Sequence, residues 1–572
     1  MLEPTTIAAL LRELAVYYEL DGDKHRAFAY ERASKSIEAA NGLHRLIEEG
    51  RLEELPGVGP SIARVVADLA RTGTVPVLER QRAQWPPVVI ELAQLPKVGV
   101  PKARRIFQSL APSDLEAVAE MCSAGLIREL PGLGKISEQK ILQAIEDRRR
   151  NGARQILIDA EDQAASLAHH LRADPAAQVV EICGPVRRWC EVVDRLAFAV
   201  AADSRDAIAD RLASFALVTS VDRASRDTTS PAASPEEPLV GFLIGGMRAE
   251  VHVAPRARLG WAQIVATGSP AHVAALRARA AERGIDLSRL EAEGEELVYA
   301  ALGLPLIPPE LRDGTDEIAA ALAGDRFTDL ITLDDLTTVF HCHTLYSDGK
   351  QTIAQMAQAA AELGYAGITI TDHSAAAGYA NGLDLARLRE QAAEIAGLQP
   401  EARILRGTEA DILADGTIDV PREMVSELDL IIASVHQRYS QGEDDTTARL
   451  VAAMRQPFFK IWGHALGRLV LRRDPIAVRL DEVLDAVAES PAAIEINGDP
   501  YRLDLDPENA RRAAARGIKF VLSCDAHSTK ALEMTRYAVA MARRARIRKS
   551  AVLNALPVDE LARAIRPASP AA

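Results

Sequence analysis

The chain lacks what would place it outside the cell or in a membrane. Its five cysteines, Cys122, Cys183, Cys190, Cys342 and Cys524, are odd in number and scattered, which argues against a disulfide framework. No uninterrupted apolar run approaches the roughly 20 residues that span a bilayer, and no signal-peptide pattern follows Met1. A cytoplasmic protein without a membrane partner is expected. Net positive charge is also missing. The formal charge of −14 argues against indiscriminate binding of nucleic acid, although local patches decide phosphate contacts. Residues 1–150 hold 21 Lys+Arg and 21 Asp+Glu, so the whole imbalance lies downstream. Basic residues cluster at Lys97, Lys102, Arg104 and Arg105 and again at Arg148, Arg149 and Arg150. At 572 residues the chain is too long for one core, and several domains are expected.

Against this background, nine metal-type side chains fall in order at or just beyond the ends of apolar runs. They are His341, His343, Asp348, His373, Glu409, His436, His464, Asp525 and His527. They include half of the chain's 12 histidines. On a strand alternate side chains share a face, so His341 and His343 can grip one ion while Cys342 points away, and Asp525 and His527 can do likewise. The apolar runs recur with helical segments between them, including Gly367–Ile370, Leu430–Ala433, Ala493–Ile496 and Lys519–Leu522. That spacing fits βα units around a barrel, whose functional residues sit at the C-terminal ends of the strands. Mixed imidazole and carboxylate donors suit Mn²⁺, Zn²⁺ or Fe²⁺. The pattern reads as a multinuclear metal hydrolase.

The first third contains a short element three times: Leu55-Pro56-Gly57-Val58-Gly59, Leu95-Pro96-Lys97-Val98-Gly99 and Leu130-Pro131-Gly132-Leu133-Gly134. Each precedes a helical pattern. Glycines permit a tight turn, and the exposed amides of the following helix favour phosphate oxygens. Gly57, Gly59, Lys97, Gly99, Lys102, Arg104, Arg105, Gly132 and Gly134 are therefore candidate contacts to a DNA backbone. The element resembles the helix-hairpin-helix motif, which binds DNA without reading its sequence. In the second copy Lys97 replaces a glycine, and no dense basic run follows the third.

Taken together, these motifs make the chain, from about residue 5 to 560, resemble the bacterial family X DNA polymerases that carry a C-terminal PHP (polymerase and histidinol phosphatase) domain. The resemblance implies a multidomain α/β protein. A small helical DNA-binding domain would span 1–85, fingers with two further hairpins 86–152, a polymerase beta-like nucleotidyltransferase palm 153–255 and a thumb 256–325. A linker at 326–338 would lead to a distorted (βα)7 PHP barrel at 339–572. It also implies a trinuclear centre: His341, His343 and Asp525 on one ion, Glu409 bridging to a second held by His436 and His464, and Asp348, His373 and His527 on the third. Arg468 is a possible phosphate clamp, with Asn497 and Arg502 as further substrate candidates. Family palms hold two ions, Mg²⁺ or Mn²⁺, on three carboxylates. Here the two aspartate positions carry Arg195 and Ala197, with Asp194 beside them, and the third carries Glu250. Pro185 and Trp189 interrupt the triphosphate-binding turn Gly184–Trp189. The segment Thr267–His272 matches the family's Thr-Gly-Ser element. The helix after the first hairpin offers Ser61, Arg64 and Val65, and none of these can form the imine that a lyase needs. The implied activity is a metal-dependent 3′→5′ DNA exonuclease in repair, by a monomer whose degenerate palm positions gapped or primer-template DNA. Two alternatives stay open: a Mn²⁺-dependent gap-filling polymerase with that exonuclease, and a histidinol-phosphate-type phosphatase.

Overall fold

The structure, a computed structural model, describes residues 2, 4–38, 40, 42–95, 98–151, 153–222, 237–243 and 245–567. It divides into two compact units, residues 1–323 and 324–572. The first begins with helices only. All three glycine-containing elements close on the same backbone bond: Val58 N–H to Leu55 O at 3.1 Å, Val98 to Leu95 at 3.1 Å and Leu133 to Leu130 at 3.0 Å. The helices Pro60–Thr72, Gly99–Leu110 and Lys135–Asn151 follow them directly. Gly57, Gly99 and Gly132 take positive φ, which a side chain at those turns would strain.

A five-stranded sheet follows, made of β1 (Val179–Cys183), β2 (Arg195–Ala201), β3 (Val218–Asp222), β4 (Leu239–Leu243) and β5 (Arg248–Ala254). Its order is β1-β2-β5-β4-β3, and only the β2–β5 pair is parallel. That pair sets Ala197 opposite Glu250. The N-terminal helices pack onto this part of the unit, with Thr6 Oγ1 bonded to Ser166 Oγ at 2.7 Å.

The second unit is a closed barrel of seven parallel strands, as the family resemblance implies. They are β6 (Thr338–Cys342), β7 (Gly367–Ile370), β8 (Arg403–Asp411), β9 (Leu430–Ser434), β10 (Lys460–Trp462), β11 (Ala492–Asn497) and β12 (Lys519–Ala526). Neighbours in sequence are neighbours in space, and β12 closes on β6. Helices cover the outside, so both faces of each strand are buried and the strands read as continuous apolar runs. Phe340, Leu405, Ile432, Ile461 and Val521 form a core together with Leu561 from the last helix, Val558–Ala564, and Ile565 just after it.

Residues 326–338 are not a free linker, which corrects the sequence-based boundary. Ile331 N–H bonds Ile547 O at 3.2 Å, Thr337 N–H bonds Asn554 O at 2.9 Å, and Lys549 pairs with Asp335 at 2.8 Å. Arg548 joins Asp325 and Asp329 nearby. The segment is polar enough to look like a linker, but its acidic residues answer a basic stretch more than 200 positions later.

Asn554 holds the seam where the barrel closes. Fully buried, it donates to Thr338 O at 3.0 Å and Leu522 O at 2.8 Å and accepts from Leu522 N–H at 3.1 Å. The β12–β6 pairing begins at Ser523 and Phe340, and the Asn554 side chain bridges the two strands just before it. Asn554→Ala should destabilise the barrel by about 2–4 kcal/mol, because it leaves buried peptide groups unpaired. Urea unfolding followed at a probe in residues 324–567 checks this.

Candidate metal centre

Six imidazoles and three carboxylates converge at the C-terminal rim of the barrel, and Glu409 stands at their middle. Its Oε1 lies 2.8 Å from His464 Nε2 and 3.1 Å from His436 Nε2. Its Oε2 lies 3.0 Å from His373 Nδ1, 3.3 Å from His341 Nε2 and 3.6 Å from His343 Nε2. One oxygen faces two imidazoles and the other three, the geometry in which a carboxylate can bridge. Asp525 Oδ1 lies 3.3 Å from His343 Nε2 and 3.7 Å from His341 Nε2. Asp348 Oδ1 lies 3.4 Å from His527 Nε2 and 3.7 Å from His373 Nε2. Donor atoms within 4.8 Å of one another fall into three overlapping groups: His341, His343 and Asp525; His373, Glu409 and His436; and His343, Asp348, His373 and His527. Eight of the nine expected side chains fall in these groups, with His343 and His373 each shared between two, and His464 joins them through Glu409. Asp348 and His527 keep 37% and 38% of their side chains exposed and form the mouth.

The local backbone explains the convergence. His341, His464 and Asp525 adopt φ of 63°, 23° and 50°, unusual for residues other than glycine. Register shifts in the β6–β7 and β6–β12 pairings fall at the same strand ends. Bulges re-aim side chains, so His341 and His343 meet on bulged strand ends and not by the simple alternation expected from sequence.

Three buried carboxylates that the sequence reading passed over orient the donors. Glu495 accepts from His341 Nδ1 at 2.6 Å and from the His464 amide at 2.5 Å. Asp411 accepts from His436 Nδ1 at 2.6 Å. Each bond fixes a tautomer and leaves Nε2 bare toward Glu409. Asp372 accepts from the Thr344 amide, the Thr344 and Ser347 hydroxyls and Gln391, and so holds the loop that presents Asp348. A charged residue inside an apolar strand (Glu495) and a second carboxylate two positions after a ligand (Asp411) were the available signals.

The donor set fits divalent ions. His341 Nε2 and both nitrogens of His343 are buried without a hydrogen-bond partner, an arrangement costly for a protein alone and natural for lone pairs meant for a cation. The site binds divalent metal. Without a cation, protons do its work. Burial lowers the pKa of His436, yet Glu409 and Asp411 outweigh it and raise the value to about 10. For His527, burial is likewise outweighed, by Asp348 and Asp525, and the value rises to about 9. Burial dominates at His373 and lowers it to about 4.

Arg468, the expected phosphate clamp, is bonded to backbone carbonyls. Its guanidinium donates to the carbonyls of Arg502 and Leu503, because the chain turns sharply at Leu503 with φ of 45°. Arg502 faces the cluster instead, 3.4 Å from Asp525 Oδ2 and 3.6 Å from Asp499 Oδ2. Its buried Nη1 has no partner. Asn497 lies 3.4 Å from Asp525 Oδ2.

Among the described residues, the sheet of the first unit holds no comparable set. Arg195 Nε pairs with Glu250 Oε2 at 2.9 Å, and Arg195 Nη1 lies 3.2 Å from Asp194. Ala197 belongs to an apolar cluster with Cys183, Ala262 and Ala266. A Cβ on Gly184 would come within 2.7 Å of the Ala197 methyl, so that position is closely packed. The two arginines of the adjoining turn are also engaged: Arg187 forms two 2.7 Å bonds to Glu295, and Arg188 bonds Thr267 O at 2.8 Å. His272 is buried between Glu317, 2.6 Å away, and the Tyr299 hydroxyl, 2.8 Å away.

Among the hairpin residues, Gly59 caps the helix Pro60–Thr72 and Gly99 opens Gly99–Leu110, with Lys102 and Arg104 half-buried on that helix. Arg105 is held by the Pro131 carbonyl and packs on Gly132, so it ties the second turn to the third. At the third turn Glu138 takes the Arg128 amide at 2.9 Å and its guanidinium at 2.7 Å. Lys97 lies outside the described residues, as do the side chains of Arg148, Arg149 and Arg150. No helix among the described residues is long and apolar enough to cross a membrane.

Comparison with known proteins agrees with this layout. Residues 340–499 match the PHP domain, 4–75 a helix-hairpin-helix domain, 89–147 a SAM-like helix-hairpin-helix tandem and 262–313 the DNA polymerase beta thumb. The chain is 31% identical to the DNA polymerase/3′-5′ exonuclease PolX of Bacillus subtilis (strain 168), over 97% of this chain and 98% of that protein. A probable phosphatase of Thermoanaerobacter pseudethanolicus is 29% identical over 37% of this chain and 88% of its own length.

Glu495→Gln should weaken metal binding by about 10- to 100-fold, since it removes the charge that orients His341. Titration with a metal buffer measures this, with circular dichroism as the control for folding. The raised pKa values set a pH dependence. Protonated His436 and His527 stabilise the metal-free fold at and below neutral pH, and that contribution is lost as pH rises through about 9 to 10. Metal competes with the same protons and binds more tightly as they leave. The melting temperature of metal-free protein should therefore fall over that range while that of metal-loaded protein does not.

Proposed function

Because the chain belongs to the PolX family of DNA polymerase/3′-5′ exonucleases, we propose that its barrel is a metal-dependent 3′→5′ DNA exonuclease acting in repair. The polymerase region, in this reading, positions DNA and does not synthesise it. One contrast carries the proposal. Eight of the nine metal-type side chains of the barrel fall in groups that could hold an ion and His464 lies 2.8 Å from Glu409, whereas the residues aligned with the palm carboxylates are an Arg195–Glu250 ion pair and the Ala197 methyl. A fixed guanidinium beside a carboxylate opposes the collection of two cations there. The domains are a DNA-end-binding domain at 1–85, fingers at 86–152, a palm at 153–255 and a thumb at 256–325. The protein works as a cytoplasmic monomer on gapped or primer-template DNA.

Three ions, Mn²⁺ and/or Zn²⁺, are assigned to the barrel centre, held by His341, His343 and Asp525, by Glu409, His436 and His464, and by Asp348, His373 and His527. Bound there, divalent ions acidify water and neutralise charge on a phosphodiester. The remaining work falls to the chain's own groups. Glu495 and Asp411 hold His341 and His436 in their donor tautomers. Arg502 adds a fixed positive charge at the Asp525 side, with its free N–H aimed at a phosphate oxygen, and Arg468 positions it. Gly57, Gly59, Gly99 and the Lys102–Arg104 helix face carry the backbone contacts to DNA. The probable phosphatase of Thermoanaerobacter pseudethanolicus matches 37% of this chain, so a phosphomonoester substrate is the second reading. The three hairpins, which such a substrate does not need, favour DNA.

The test is a gel with a 5′-labelled primer on a one-nucleotide gap, Mn²⁺, and dNTPs present or absent. Shortening in both lanes is expected, and Asp525→Ala should lower it by more than about 100-fold, beyond the usual effect of losing a partner to a ligand. Extension in the dNTP lane would show that the palm finds its metals another way.

A further inference from the structure

The loops around the metal centre expose large apolar side chains that the mechanism above leaves unused. In the second unit the described exposed ones are Leu333, Leu345, Leu363, Tyr379, Leu413, Leu471 and Tyr501. Five of them, all but Leu333 and Leu363, follow barrel strands at the rim that carries the nine metal-type residues.

Tyr379 is the member closest to the chemistry. Its ring centroid lies 6.2 Å from that of His373 and 6.3 Å from that of His436, yet the residue is 67% exposed. The loop beneath it is firmly held. Ser374 N–H bonds Glu409 O at 2.9 Å, Leu383 N–H bonds His373 O at 2.7 Å and Ala376 N–H bonds Asp419 at 2.7 Å. Asn381 Nδ2 reaches Tyr346 O at 3.0 Å. Gly382 is needed where the loop crosses itself, since a Cβ there would meet Ser374 O at 1.9 Å. A rigid loop thus presents one aromatic face to solvent directly beside two imidazoles of the centre. Tyr501 stands on the Arg502 side, and its ring is covered by Arg472 at 5.0 Å, so it offers less.

We propose that Tyr379 stacks on the base of the 3′-terminal nucleotide and so places the last phosphodiester at the metal centre. This rests on the exonuclease reading above. A base has a π-face whatever its identity, so stacking gives binding without sequence preference. It also explains how a centre of the kind that serves phosphomonoesters selects a nucleotide end.

The test uses full-length, Mn²⁺-loaded protein and two 5′-labelled oligonucleotides that differ only at the 3′ end, one with a base and one with a tetrahydrofuran abasic residue. Tyr379→Ala should raise KM for the base-bearing end roughly tenfold, within the range found for base–aromatic stacking, and change the abasic end less than about twofold. Tyr379→Phe should keep the wild-type KM. The wild type should discriminate between the two ends by the factor that Tyr379→Ala abolishes. Equal loss on both ends, no loss on the base-bearing end, or a Tyr379→Phe defect as large as that of Tyr379→Ala would each overturn stacking. Failure of the metal-loaded wild type to shorten either oligonucleotide would overturn the exonuclease reading and this proposal with it. Normal shortening with an unchanged KM for Tyr379→Ala would overturn this proposal alone.

Discussion

The second unit is organised by one carboxylate. Glu409 is almost fully buried, and five imidazoles approach its two oxygens from four different strand ends. A charge removed from water in this way is tolerable only if it is compensated. Burial opposes its ionisation, but the surrounding imidazoles, with His436 first, hold its pKa well below the ordinary carboxylate range. The bulges, the left-handed residues and the carboxylates behind the imidazoles follow from that need. Each brings a donor to the centre or keeps it facing the right way.

The sheet of the first unit treats charge in the opposite manner. Where the barrel gathers acidic and neutral donors and leaves lone pairs open, the β2–β5 region pairs its charges internally. Arg195 meets Glu250, and Arg187 and Arg312 both meet Glu295. These carboxylates face guanidinium groups and act as struts, whereas those of the barrel centre face imidazoles and form a reaction centre.

Much of the centre could be read from sequence because each ligand directly follows an apolar run, a pattern that survives without knowledge of the partners. The barrel was legible for the same reason. What escaped was pairing over distance. Glu495 serves His341 from 154 positions away, and nothing near it marks the connection. Arg468 looked like a clamp from its place after His464, but the backbone turn at Leu503 turns its guanidinium to carbonyls and leaves Arg502 at the cluster. The segment 326–338 looked like a linker because its partners lie beyond residue 546. Substitutions at Arg195 and Ala197 were visible at once, whereas the ion pair with Glu250 needed the parallel β2–β5 register.

The seam held by Asn554 also sets an order of events during synthesis. His341 and His343 leave the ribosome on the first barrel strand, while Asp525 comes on the last and Asn554 later still. The first group of donors therefore joins residues 182 to 184 positions apart, contacts of the kind that form late because long loops must close first. A nascent chain ending between Asn151 and β12 has its helix-hairpin-helix elements already made but no complete first metal group. It could dock on DNA before it could cut it, and cleavage chemistry arrives only with a nearly finished polypeptide.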